Sequence, residues 1–189
     1  ALKAADGCMT ARITVKEIAM EHGWHATFMP KPLAGSNGSG MHTHLTLMKD
    51  GQSAFVDAAD SGKLSDVGRA FVAGQLRHAR EMSAVLAQWV NSYKRLVPGF
   101  EAPVYVAWSR RNRSALVRVA SGRPDAAGSI ELRCPDPACN PYLAFSAMLM
   151  AGLDGIQNRI EPPTPMDKDL YDLPPEELKK VPQVPGSLD

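Results

Sequence analysis

The stretch Ser129–Ile156 reads "SIELRCPDPACNPYLAFSAMLMAGLDGI". Its opening alternates, so Ile130 and Leu132 take one face of a short strand and Glu131 and Arg133 the other. "PDPACNP" is a rigid turn, and Pro141 after Asn140 suits the first position of a helix. "YLAFSAMLMAGLDGI" is apolar almost all round, which predicts a buried helix. A polar strand face and a core helix therefore lie only one turn apart.

The same alternation appears upstream. "GSNGSGMHTHLTL" (Gly35–Leu47) runs from a glycine loop into a strand, with His42, His44 and Thr46 on one face. Met41, Thr43, Leu45 and Leu47 take the other, and "KDGQ" signals a turn of the Asp-Gly type. The first 22 residues have helical apolar spacing that ends near Gly23. "WHATFMP" reads as a strand stopped by Pro30. From Ser65, Val67, Ala70, Phe71, Gly74, His78, Met82, Val85 and Trp89 form one long helical stripe. His78 in that stripe reads as a solvated or packed histidine. "VYVAWS" and "SALVRVA" read as strands separated by "RRNR". After Glu161 the composition shifts, with seven prolines between Pro162 and Pro185. This predicts an extended or short-helical surface segment, so the chain divides into residues 1–160 and 161–189. The opening "ALKAADGCMT" looks like the inside of a helix, which suggests part of a longer protein.

Composition narrows the function. The chain has 189 residues, 44% hydrophobic and 22% charged, with a net charge of +1. No global field favours nucleic acid or an anionic membrane, and no apolar run approaches a membrane span. Three cysteines, Cys8, Cys134 and Cys139, suit reduced thiols in a cytosol better than a disulfide framework. The spacing of Cys134 and Cys139 is a poor match to a zinc site.

There is no P-loop, no dinucleotide glycine fingerprint and no nucleophile elbow. The polar strand faces stand out instead. A histidine and glutamate set without cysteine suits a cation such as manganese or magnesium, and a solvent-exposed sheet face is the plain alternative. Arg95, Arg110, Arg111, Arg113, Arg118 and Arg133 fall within 39 residues. Their planar forks suit carboxylates and phosphates, and the near-neutral charge favours a small anionic substrate over a nucleic acid.

"FMPKPLAGSNGSGMHTHLTL", "NSYKRLVPGFEAPVYVAWSRRNRSALVRV" and "ELRCPDPACNPYLAFSAMLMAGLDGI" together resemble the catalytic domain of type I glutamine synthetases. The resemblance implies an α+β fold in which antiparallel strands line a catalytic funnel flanked by helices. It implies ATP-dependent ligation of ammonium to glutamate through γ-glutamyl phosphate. Magnesium or manganese would assist, in a cytoplasmic dodecamer of two hexameric rings. It implies His42 and Glu131 as metal ligands, and Asn37, Gly38, Arg95, Glu101 and Arg133 around the glutamate. His44, Thr46, Arg113 and Arg118 would meet the nucleotide, and Glu101 and Arg113 would be catalytic. "MDKDLYDLPPEEL" resembles the segment modified by an adenylylating enzyme, with Tyr171 at the modified position.

The sequence departs from that family at Ala126 and Ser129, where a lysine and an arginine usually stand near the nucleotide phosphates. Each missing cation is worth on the order of one to three kcal/mol. The family's other metal-binding glutamates precede the matched region, so residues 1–189 alone are expected to be inactive. The alternatives are a ligase that joins glutamate to another amine, and a catalytically weakened paralogue that serves as a regulatory or assembly partner.

Overall fold

The computed structural model describes residues 1–57, 59–60, 63–110, 112, 114–120, 128–168, 170 and 173–188. Among the described residues six helices and six strands follow one another: α1 (Leu2–Glu21), β1 (Thr43–Leu45), β2 (Met48–Lys49), β3 (Gln52–Ser53), α2 (Asp66–Arg77), α3 (Ala79–Leu86), α4 (Val90–Arg95), β4 (Tyr105–Ser109), β5 (Ala115–Ala120), β6 (Ser129–Leu132), α5 (Pro141–Gln157) and α6 (Pro175–Leu178). A four-stranded sheet has the order β1-β6-β5-β4, and β2 and β3 form a separate hairpin. The fold is α+β.

Pairing in the large sheet is mixed. β1–β6 and β5–β6 are antiparallel, as expected, whereas β4 and β5 run parallel. Tyr105 pairs with Ala115, the first residue of each strand, so the chain returns to its starting end before β5 begins. Within that return the Asn112 side chain accepts the Ser114 amide at 2.8 Å.

The core lies between the sheet and α2, α3 and α5. Phe71, Leu86, Met148, Leu116, Val117, Ile130 and Leu132 meet there, and half-buried Met41, Leu45 and Leu47 pack against them. These are the apolar faces that alternation assigned. The β2–β3 hairpin turns on Asp50 and Gly51, both at positive φ (51° and 78°), as an Asp-Gly turn requires. α5 begins as anticipated. The Asn140 carboxamide oxygen accepts the amides of Tyr142 and Leu143, and Pro141 occupies the first turn.

Other elements differ from their sequence readings. The stripe from Ser65 is not one helix: it breaks at His78 and again before α4. His78 is half-buried and lies 2.9 Å from the Asp154 carboxylate. "WHATFMP" forms no strand; it has no ladder partner, and Trp24 is 77% exposed. α5 is buried on one face only, with Leu143 and Met150 outward. In α1 only Ala5 is buried. The segment after Glu161 is extended with one short helix, yet it is more than a surface strap. Leu170 and Val184 are buried, and Val106 and Val184 donate backbone hydrogen bonds that bind it along β4. It thereby covers an edge strand that would otherwise offer unpaired backbone groups.

α2 and α5 approach at backbone contact. A β-carbon on Gly74 would come within 2.0 Å of the Ala151 carbonyl oxygen, and one on Gly155 within 2.1 Å of the Ala70 carbonyl oxygen. Neither backbone can yield without separating the helices. Gly155→Ala is therefore expected to cost about 1–3 kcal/mol or more, as overpacked cores do. A lower urea midpoint with an unchanged slope is the result to look for. An unchanged midpoint would mean that the helices are not in contact at this point.

Candidate active site

Strand register builds the site. Glu131 of β6 lies opposite His44 of β1 and Arg118 of β5, and Arg118 lies opposite Ser109 of β4. Directly opposed residues share a sheet face, so these four form one row across the sheet. The other face carries Val117, Ile130 and Leu132 into the core. At the β4 end the Ser109 hydroxyl donates to the Asp167 carboxylate at 2.9 Å, so the C-terminal segment closes that edge.

Glu131 is the centre of the row and is 2% exposed. One carboxylate oxygen lies 3.0 Å from His42 Nδ1, and the other lies 2.5 Å from Arg118 Nε. Arg133 Nε stands 3.9 Å from the first oxygen. Burial pushes the carboxyl pKa up, but the His42 hydrogen bond and the Arg118 charge outweigh it, so the group sits below its usual value.

Beside the row lies a cavity of about 420 Å³ lined by Asn37, Gly38, Gly40, His42, Arg95, Phe100, Glu101, Ala102 and Arg133. Its floor is held by Arg95, which is 4% exposed. The Arg95 guanidinium donates to the carbonyls of Cys134 at 2.8 Å and Arg133 at 3.0 Å. Burial lowers its pKa, which Arg can bear because its ordinary value is so high. The loop can lie on this floor only because positions 38 and 40 carry no side chain. A β-carbon on Gly38 would meet the Pro30 carbonyl oxygen at 2.5 Å, and one on Gly40 would meet Arg95 Nη2 at 2.7 Å. Arg133 Nη2 donates to the Glu101 carbonyl at 3.3 Å, tying β6 to the far wall. Glu101 is exposed and holds φ +55°, just after Gly99 at +87°.

The residues singled out from sequence thus fall into two groups. Asn37, Gly38, Arg95, Glu101, Arg133 and His42 surround one cavity. His44 and Arg118 stand in the adjoining row, and Thr46 lies exposed beyond β1 on the same side. Arg113, Ala126 and Tyr171 lie outside the described residues. Gly40, Phe100 and Ala102 complete the cavity without having been singled out. Gly40 shares the glycine density of its loop, and the other two flank Glu101, so proximity was their only signal.

The whole chain, residues 1–189, matches the family described as "Glutamine synthetase, catalytic domain". The chain belongs to this family. It is 54% identical over 189 residues to a glutamine synthetase of Frankia alni, covering all of this chain and 40% of that protein. It is 50% identical to those of Clostridium saccharobutylicum and Thermotoga maritima, covering 100% and 99% of this chain and 43% of each relative. The chain therefore spans about two fifths of the length of the curated relatives it matches. Ser129 is 8% exposed, and its hydroxyl has no hydrogen-bond partner among the described residues.

A glutamine synthetase domain calls for a divalent cation. His42 and Glu131 offer one imidazole nitrogen and one carboxylate oxygen, the donor types that suit magnesium or manganese. No cluster of three or more His, Cys, Asp or Glu side chains capable of holding a metal occurs among the described residues. The pair therefore supplies two donors of the types such an ion takes. Burial raises the thiol pKa values of Cys134 and Cys139 to about 11 and about 12.

Because the folded Glu131 pKa is depressed, its contribution to stability is full above the unfolded carboxyl value, about 4.3. It is lost as pH falls through the lower folded value. Glu131→Gln should lose on the order of 1–3 kcal/mol at pH 7, since it leaves the Arg118 and Arg133 charges uncompensated. Its stability should also fall less steeply than wild type below pH 4. Urea denaturation across pH 3–7 checks both, and parallel profiles would show that folding leaves the Glu131 pKa unshifted.

Proposed function

We propose that this chain carries the glutamate-holding wall of an ATP-dependent glutamate–ammonia ligase. The observation that carries the reading is the cavity itself, in which Asn37, Gly38, Arg95, Glu101, Arg133 and His42 converge on about 420 Å³. Two guanidiniums and a side-chain amide suit the carboxylates of an amino diacid, and the Gly38 backbone can approach a ligand closely. Arg118 and His44, which flank Glu131 in the adjoining row, would meet the nucleotide phosphates.

In the proposed reaction the γ-carboxylate of glutamate attacks the γ-phosphorus of ATP, and ADP leaves. Ammonia then attacks the γ-glutamyl phosphate, giving glutamine and phosphate. Arg133 and Arg95 orient the substrate and offset charge. Glu101 receives the proton that ammonium must lose, or holds the ammonium where it loses it. His42 and Glu131 would supply two donors to a divalent cation, which when bound would act as a Lewis acid towards the transferring phosphoryl group. The walls exclude water, so the acyl phosphate meets ammonia first.

The test is phosphate release by the full-length protein with glutamate, ATP and either ammonia or a panel of amines. Release with ammonia is expected; release only with another amine would move the reading to a different γ-glutamyl ligase. No release with any acceptor would leave the weakened paralogue, the alternative that Ala126 and Ser129 favour. Glu131→Gln should weaken manganese binding at least tenfold by titration, and unchanged affinity would remove Glu131 from the metal site.

We further propose magnesium or manganese as the ion, a dodecamer of stacked hexamers, and adenylylation at Tyr171. The sequence "MDKDLYDLPPEEL" supports the last, and an added nucleotide would bring negative charge and bulk to position 171. Incorporation of labelled AMP by an adenylylating enzyme should disappear in Tyr171→Phe. Retained label in that variant sinks the assignment.

A further inference from the structure

We propose that Lys31 is a positioning residue that holds the two walls of the cavity in register, and so keeps Glu101 over the bound substrate. The inference deepens the ligase reading and rests on it. One wall is the glycine loop with Asn37 and Gly38; the other is the turn with Phe100, Glu101 and Ala102. The Lys31 ammonium touches both. It donates to the carbonyl of Ser36, the residue before Asn37, and lies 3.8 Å from the centre of the ring of Phe100, the residue before Glu101.

The anchor beneath the ammonium is firm. Asn91 accepts the Lys31 amide at 2.7 Å and donates to the Lys31 carbonyl at 3.0 Å, so one carboxamide grips both backbone groups. Asn91 is on α4, one helical turn before Arg95, whose guanidinium forms the cavity floor. Lys31 is therefore fixed to the same helix as the floor, and its half-buried side chain spans from there to both walls.

The far wall needs such support. Its turn carries Gly99 and Glu101 at positive φ, and for Glu101 that conformation is unfavourable. Besides Lys31, the wall is held by Arg133, which donates to the Glu101 carbonyl. A cation over the ring fixes Phe100 on one side of Glu101, and Arg133 fixes Glu101 itself. Without the cation, the turn can open while the floor remains intact. Water then reaches the acyl phosphate and competes with ammonia for it.

Two measurements on the full-length protein test this, using Lys31→Met to remove the charge and Lys31→Arg to keep it. Amide exchange of residues 97–104 should rise about two- to fivefold in Lys31→Met, the range expected for one exposed cation–π contact, and return in Lys31→Arg. Phosphate released per glutamine formed should rise above one in Lys31→Met and return towards one in Lys31→Arg. Phe100→Leu should raise the same exchange, with no further rise when combined with Lys31→Met. Unchanged exchange at 97–104 overturns the proposal, as does exchange that rises equally in α2 and α5, which would mark a general loss of stability. If wild type releases no phosphate, the ligase reading fails, and the exchange measurement still decides whether Lys31 holds the wall.

Discussion

The site depends on one buried carboxylate. Glu131 is almost wholly removed from water, and an isolated charge there would be prohibitively costly. It is held ionised by Arg118 from the neighbouring strand and by His42 from the chain entering β1. Those partners come from both sides of β6, so the charge can be buried only if β1, β6 and β5 are in register. Electrostatics and strand pairing thus specify the same arrangement. The requirement extends outward, because Arg133, two residues along the same strand face, carries the connection to the Glu101 wall.

How much of this was legible depended on the range of the interaction. Alternation is local, and it gave the two faces of residues 41–47 and 129–133 correctly, including which side chains enter the core. Capping is local too, and Asn140–Pro141 marked the start of α5. The break at His78 was not legible, since the apolar spacing continues through it and the Asp154 contact that accompanies the break comes from a distant helix. The parallel pairing of β4 with β5 was equally hidden, because propensity does not encode strand direction. "WHATFMP" had strand composition without a partner to pair with, and composition alone does not make a ladder.

The site was legible in part for the same reason. Asn37, Gly38 and His42 sit in a visible motif, but their meeting with Arg95, Glu101 and Arg133 is a tertiary fact, which entered at first only through resemblance to a family. The cavity gives it a physical basis. Lys31 shows the limit. It lies between two prolines with no chemical motif around it. Its partners, Asn91 and Phe100, are distant in sequence, and only the fold brings them together.

The charge distribution bears on the missing family cations. An arginine at position 129 would project on the same strand face as Glu131, two residues away, close to Arg118. With serine there, Arg118 divides its charge between Glu131 and whatever anion approaches the row. A cation held by His42 and Glu131 would relieve that division, because it would take over the carboxylate and leave the Arg118 guanidinium to an incoming phosphate. In a chain with Ser129, metal and nucleotide binding should therefore be more tightly coupled than where the arginine is present.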